Sequence, residues 1–498
     1  MKATEKNELT NTMNTTIKTI GDLKKAKYTS KSIKTELRDN LIQALQTGKK
    51  TFEGMHGYEQ TVIPQLERAI LSKHNINLLG LRGQGKTRIA RLMIQLLDEY
   101  IPIVAGSEIN DDPFAPISRY AKDIIREKGD ATPIEWLHRD DRFFEKLATP
   151  DVTIADLIGD IDPIKAANLK LSYADDRVLH FGMIPRANRC LFVINELPDL
   201  QARIQVALFN ILEEGDIQIR GFKLRMSLDV QFVFTANPED YTNRGSIVTP
   251  LKDRIGSQIL THYAYDLPTA KRITKQETEK SDSRAIEVYV PELAKDLLEQ
   301  IAFEARVSEF VDPKSGVSAR MSITGYENLI STAERRALLN AETKTSVRFS
   351  DLMGMIPSIT GKVELVYEGE QEGSDFVANH LISEATKTLF LMYFPKIEKL
   401  KKPNQTTVYD AVVDWFIQAD NIELSDEATN KDYQKVLSTL KPLDELLHIY
   451  QPKLAKEDVN FLKEFILWAL VELKQLSKKR TENGILFNDA FDSYIKSM

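Results

Sequence analysis

Two patterns of apolar positions divide the chain. Between His74 and Tyr263, short β-branched runs alternate with amphipathic stretches. Residues 75–79 (NINLL), 190–194 (CLFVI) and 230–235 (VQFVFT) are mainly apolar, carry no charge and predict buried strands. After the first run, Ile89, Leu92, Met93, Leu96 and Leu97 fall at i, i+3, i+4, i+7 and i+8, one face of a helix. Between the other two, Ile204, Ala207, Leu208, Ile211 and Leu212 mark a second helical face, closed by Gly215 as a C-cap. Residues 216–226 (DIQIRGFKLRM) alternate around Arg220-Gly221 and predict a β-hairpin. The alternation predicts an α/β region with a mostly parallel sheet. From about Pro268 the pattern turns almost entirely helical.

The flanks are less regular. Residues 1 to about 30 are polar and rich in Thr and Lys, which predicts loose order, and residues 32–51 have a helical period. Residues 368–374 (EGEQEGS) and 401–404 (KKPN) predict breaks, and no internal repeat is visible. The run 465–471 (FILWALV) is far shorter than the roughly 20 residues of a membrane helix. It is flanked by Lys463, Glu464, Glu472 and Lys474, which predicts one buried helix face. Lys478-Lys479-Arg480 reads as a solvated helix end.

Length and charge narrow the picture. With 498 residues the chain has room for two to four domains of about 100–200 residues. The net charge of −7 argues against broad binding to nucleic-acid phosphates or anionic membrane. Cys190 is the only cysteine, so an intramolecular disulfide framework is excluded and a packed free thiol is expected. The seven histidines show no zinc spacing, and there is no G-x-S-x-G nucleophile elbow. The polar start has no apolar signal-peptide core, and a cytoplasmic location is the expectation.

The chemistry concentrates at residues 80–87 (GLRGQGKT), which fit G-x-x-x-x-G-K-[ST] between a strand and a helix. Gly80, Gly83 and Gly85, with Gln84 between them, let backbone N–H groups turn inward on phosphate oxygens. Lys86 can reach the β- and γ-phosphates, and the Thr87 hydroxyl can ligate Mg²⁺. Such a site needs an acid at the end of a neighbouring strand. The 190–194 strand ends in Asn195-Glu196, so Glu196 is the candidate to orient the attacking water. Asn195 stands where a metal-holding Asp is usual; its amide accepts from a metal-bound water but carries no charge. Residues 100–179, between these motifs, are expected as an insertion that carries Trp136, His138 and an acidic run at 154–162.

Residues 181–200 (FGMIPRANRCLFVINELPDL) resemble the second acidic motif of the magnesium chelatase ATPase subunit and its MoxR relatives, within the AAA+ superfamily. The helix and hairpin that follow, then FTANPED and TPLKDRIG, come in that family's order, and 55–60 (MHGYEQ) resemble the opening of its ATPase core. The likeness covers about residues 52–338.

The resemblance implies an α/β P-loop AAA+ core, a parallel sheet with flanking helices and a pre-sensor β-hairpin, followed by an all-α lid and a helical C-terminal extension. The expected divisions are 1–50, 51–265, 266–355 and 356–498. It implies ATP and Mg²⁺ as cofactors and hydrolysis as the reaction. Asn237 matches the polar sensor, Arg254 the arginine finger that reaches a neighbouring subunit's ATP, and Arg320 the second sensor on the lid, behind Ser318 as helix cap. Arg186 and Arg189 flank the strand start, where a neighbour would contact them. The implied assembly is a self-associated ring, a hexamer, that remodels a partner bearing a von Willebrand factor A domain or promotes metal insertion. Two other readings stay open: a nucleotide-gated scaffold with little turnover, on Asn195, and a DNA- or transcription-associated AAA+ ATPase. The acidic pI of 5.7 weighs against the second.

Overall fold

The computed structural model describes residues 17–170, 176–218, 225–238, 246–279, 284–396, 407–418 and 421–490. The chain divides into two compact units, Met1–His262 and Tyr263–Met498.

The first unit is built on five strands: β1 (Ile76–Leu79), β2 (Phe143–Leu147), β3 (Cys190–Asn195), β4 (Val230–Ala236) and β5 (Ser257–Leu260). They lie in the order β5-β1-β4-β3-β2, every neighbouring pair parallel. Such a sheet must be covered on both faces, and β3 shows how its sequence meets that demand. Leu191 and Val193 face a core that also holds Ile33, Leu37, Leu41, Ile89 and Met93. Cys190, Phe192 and Ile194 face the opposite core, with Ile204, Leu208 and Ile211. An apolar run of period two thus feeds two layers of helix.

Helix α1 (Ile33–Thr47) opens the first layer, with Ser32 capping its start by accepting the Thr35 N–H and Gly48 closing it at φ +70°. Its buried Glu36 takes both Nη groups of the fully buried Arg142, each at 2.7 Å, one residue before β2. Helix α2 (Lys86–Leu92) leaves the loop after β1 and runs on as a 3₁₀ turn to Leu96. Helix α3 (Thr249–Arg254) precedes β5.

Several expectations change. Residues 100–179 are not wholly an insertion, because β2 within them forms an edge of the core sheet. Tyr100–Val104 and Ile134–His138 pair separately as an antiparallel ribbon. Of the expected loose N-terminal stretch, residues 1–16 lie outside the described residues. Ile20–Lys25 is helical, and its Ile20 and Leu23 are buried with Ile17 and Ile134. The hairpin forms, Asp216–Gln218 against Arg225–Ser227, and its turn at 220–221 lies outside the described residues.

The second unit has a single core shared by α4 (Glu292–Val307), α5 (Arg320–Leu339), α6 (Ser374–Tyr393) and α7 (Val459–Glu472). The expected lid and extension therefore share one apolar interior. It is not all helical: β6 (Ile422–Ser425), β7 (Leu476–Arg480) and β8 (Gly484–Asp489) make an antiparallel sheet in the order β6-β8-β7. Lys478, Lys479 and Arg480 thus lie on a strand. The run 368–374, expected as a break, is mostly the helix Tyr367–Glu372, and Gly373 at φ +92° separates it from α6. The break at 401–404 lies outside the described residues. None of the described helices is long and apolar enough to cross a membrane.

Candidate nucleotide site

Parallel strands deliver their C-terminal ends to one side of the sheet, and the register here aligns Leu79 with Ala236 and Ile194 with Phe234. The 80–87 loop, Asn195-Glu196 and Asn237 are therefore neighbours by construction. The loop is shaped from behind. A Cβ on Gly80 would collide with Thr261 Oγ1 and Gln84 Oε1, so a larger residue would have to break the bond between them. Gly85 holds φ +73° at the start of α2, with the Met55 methyl packed where a Cβ would point. Gln84 is buried, its side-chain oxygen taking the Thr261 hydroxyl at 2.7 Å. The Tyr58 hydroxyl lies 2.7 Å from the Gln84 carbonyl oxygen and 2.8 Å from that of His262. The 55–60 string thus buttresses the loop.

Lys86 Nζ donates to the carbonyls of Gly80 and Leu81, the latter at 2.9 Å, and to Asn237 Oδ1 at 2.7 Å. The loop lysine and the candidate sensor are in direct contact. Asn195 Oδ1 accepts the Thr235 hydroxyl at 3.1 Å and lies 3.5 Å from Thr87 Oγ1. Asn195 Nδ2 donates to Glu145 Oε1 at 2.6 Å, so two hydroxyls on the oxygen and a carboxylate on the nitrogen set the amide's orientation. Glu196 carries φ +56° and ψ +49°, a left-handed backbone that costs a non-glycine residue about 1–3 kcal/mol and clusters at functional sites. Its N–H donates to Thr235 Oγ1 at 3.1 Å, which links β3 to β4 beside Asn195.

The remaining candidates have surroundings of their own. Arg254, at the end of α3, bonds Glu213 through Nε at 2.7 Å and Nη2 at 2.6 Å, and stacks over Phe209. Among the described residues Glu213 is its acidic partner, and its Nη1 also donates to the Pro250 carbonyl at 2.9 Å. Arg320 belongs to the second unit, exposed at the first position of α5, where Ser318 Oγ accepts its N–H at 3.1 Å. Arg189 is buried and donates to the Pro102 carbonyl at 2.7 Å, so it is not the neighbour contact expected of it; Arg186 is exposed. Cys190 is buried at the start of β3, and burial pushes its thiol up to about 12, an inert packing residue.

Thr87 and Asn195 offer hard oxygen donors beside the Glu145 carboxylate, which suits Mg²⁺. Among the described residues no three His, Cys, Asp or Glu side chains group to hold a metal. Magnesium here would take most of its ligands from phosphate and water. Glu145 is missed by sequence reasoning because β2 (FFEKL) carries two charged residues where β1, β3 and β4 carry none; a carboxylate set among aromatics is the available signal.

A five-stranded parallel sheet in the order β5-β1-β4-β3-β2, with a glycine-rich loop and lysine after β1 and a polar residue after β4, is a P-loop α/β fold of the AAA+ type. No family model matches the chain, and no curated protein matches it. Among solved structures, NtrX from Brucella abortus bound to ADP aligns at 13% identity over 59% of this chain and 56% of its own, with a TM-score of 0.35. The chain thus spans little more than half of NtrX. A cryo-EM-based complex of the magnesium chelatase subunits BchI and BchD aligns at 18% identity over 64% of this chain and 98% of that one, TM-score 0.34. A point mutant of RuvB from Thermotoga maritima aligns at 12% identity over 90% of this chain and 97% of its own, TM-score 0.33. At such scores these alignments carry no weight beside the sheet order itself.

Proposed function

We propose that the chain is an AAA+ ATPase that binds MgATP at the 80–87 loop, hydrolyses it, and uses the cycle to remodel a partner protein. The contact of Lys86 Nζ with Asn237 Oδ1 at 2.7 Å carries the reading. It joins the phosphate-binding lysine to a polar residue at the end of β4, which the loop motif alone does not require. In this reading Lys86 neutralises the β- and γ-phosphates, and Asn237 contacts the γ-phosphate or the attacking water. Glu196, held in its left-handed turn, orients that water. Thr87 would ligate Mg²⁺ directly and Asn195 through a metal-bound water; the ion, when bound, supplies positive charge to the phosphate oxygens.

Arg254 would complete the site of a neighbouring copy, exchanging Glu213 for phosphate, and Arg320 would act as the second sensor. That arrangement requires a ring, by likeness to magnesium chelatase a hexamer, whose client is a von Willebrand factor A domain protein or a metal-insertion complex. The neutral amide of Asn195 favours a second reading, a nucleotide-gated scaffold with little turnover. MgATP turnover measured against protein concentration separates them, for the unmodified chain, Lys86→Ala and Arg254→Ala. Specific activity should rise with concentration and vanish in Lys86→Ala, and Arg254→Ala should lose about 10³-fold or more. Turnover that Lys86→Ala leaves intact overturns the assignment of the loop. ATP binding without turnover at any concentration favours the scaffold.

A further inference from the structure

The site lacks the carboxylate expected at position 195, yet a carboxylate stands beside it. Strand β2 pairs with β3 so that Leu147 is opposite Asn195 and Glu145 opposite Val193. From there Glu145 Oε1 reaches Asn195 Nδ2 at 2.6 Å, and Oε2 reaches Arg91 Nη2 at 2.7 Å. Arg91 lies four residues after Thr87, one turn further along α2. We infer that Glu145 supplies, from the neighbouring strand, the negative charge that Asn195 lacks, and acts through Asn195 as a positioning residue for Mg²⁺. The inference rests on the reading of the 80–87 loop as an MgATP site.

Three observations support it. An amide whose N–H groups donate to a carboxylate is polarised, so its oxygen becomes a stronger acceptor. That oxygen is the one near Thr87 and Thr235. The Glu145 side chain is only 25% exposed, so its charge acts through protein as well as through water. Arg91, whose side chain is 62% exposed, pairs with Oε2 alone, and Oε1 is left to the amide. A carboxylate that merely tied α2 to β2 would need Arg91 alone. Here one of its oxygens is given to the amide at the metal position.

The charge-swap experiment uses the full chain and two probes: Mn²⁺, followed by electron paramagnetic resonance with ADP bound, and a fluorescent ADP analogue, titrated in EDTA. Glu145→Gln should weaken Mn²⁺ binding about 10–100-fold, the range for residues that orient metal ligands. It should leave the affinity for the analogue in EDTA unchanged. Adding Asn195→Asp to Glu145→Gln returns one carboxylate to the pair and should recover most of the loss. A Glu145→Gln chain with unaltered Mn²⁺ binding overturns the inference, and so does a folded double variant that recovers nothing. If the unmodified chain binds no analogue, the loop reading itself fails, a result distinct from nucleotide binding that is indifferent to Glu145.

Discussion

Glu299 shows at the scale of one residue how this chain places charge inside. On α4 it is buried, with Thr274 Oγ1 donating to one carboxyl oxygen at 2.5 Å and Ser322 Oγ to the other at 2.8 Å. Burial nonetheless holds its pKa above the ordinary 4.5, against those two hydroxyls and the charges of Arg306 and Lys271. The folded state then binds the proton more tightly than the unfolded chain does. Its stabilising contribution is complete below 4.5 and is lost as the pH rises through the raised value. Glu299→Gln keeps the shape without the ionisation, so thermal midpoints measured from about pH 4.5 upward should fall less steeply than in the unmodified chain. Glu464 belongs to the same class, although in sequence it reads as a polar flank. It accepts the N–H groups of Phe349 and Ser350 and the Tyr433 hydroxyl, partners distant along the chain. The phosphate loop is legible because its chemistry is contiguous; Glu145 and Glu464 draw their meaning from distant strands and helices.

Among elements, the joint between α1 and the start of β2 rests on a buried ion pair. Arg142 is fully buried, paired with Glu36 and also donating to the Arg189 carbonyl through Nε at 3.0 Å and Nη2 at 2.9 Å. Removing one partner of a buried pair leaves an uncompensated charge, so Glu36→Ala should destabilise the first unit by about 3–5 kcal/mol in denaturant unfolding. Glu36→Leu with Arg142→Met should cost much less, since both charges then leave together. Strands β1, β3 and β4 can be read from sequence because apolar residues dominate each and none carries a charge. Strand β2 (FFEKL) carries Glu145 and Lys146, and β7 (LSKKR) carries three cations, so neither shows that signal; edge strands accept such residues.

For the whole molecule, the buried residues of the second unit's large core run from Leu293 to Phe487, with Leu267, Val288 and Val290 packed against them. A unit with its own interior should fold by itself, so residues 263–498 expressed alone should show helical circular dichroism and one cooperative thermal transition. The switch from alternating to helical patterning near Pro268 makes two architectures legible. That the later helices and a small antiparallel sheet share one interior is not legible, because apolar helical faces do not declare their partners.

The 2.6 Å contact between Asn195 and Glu145 also bears on how such a site can change by single mutations. Moving the charge from one strand to the other takes two substitutions. One order passes through a chain with two carboxylates pressed together, the other through a chain with none. Both intermediates are handicapped, so the two arrangements form separate islands joined by a narrow route. A linear pattern that demands the acid on the third strand sees a broken motif here, although the pair still carries one negative charge.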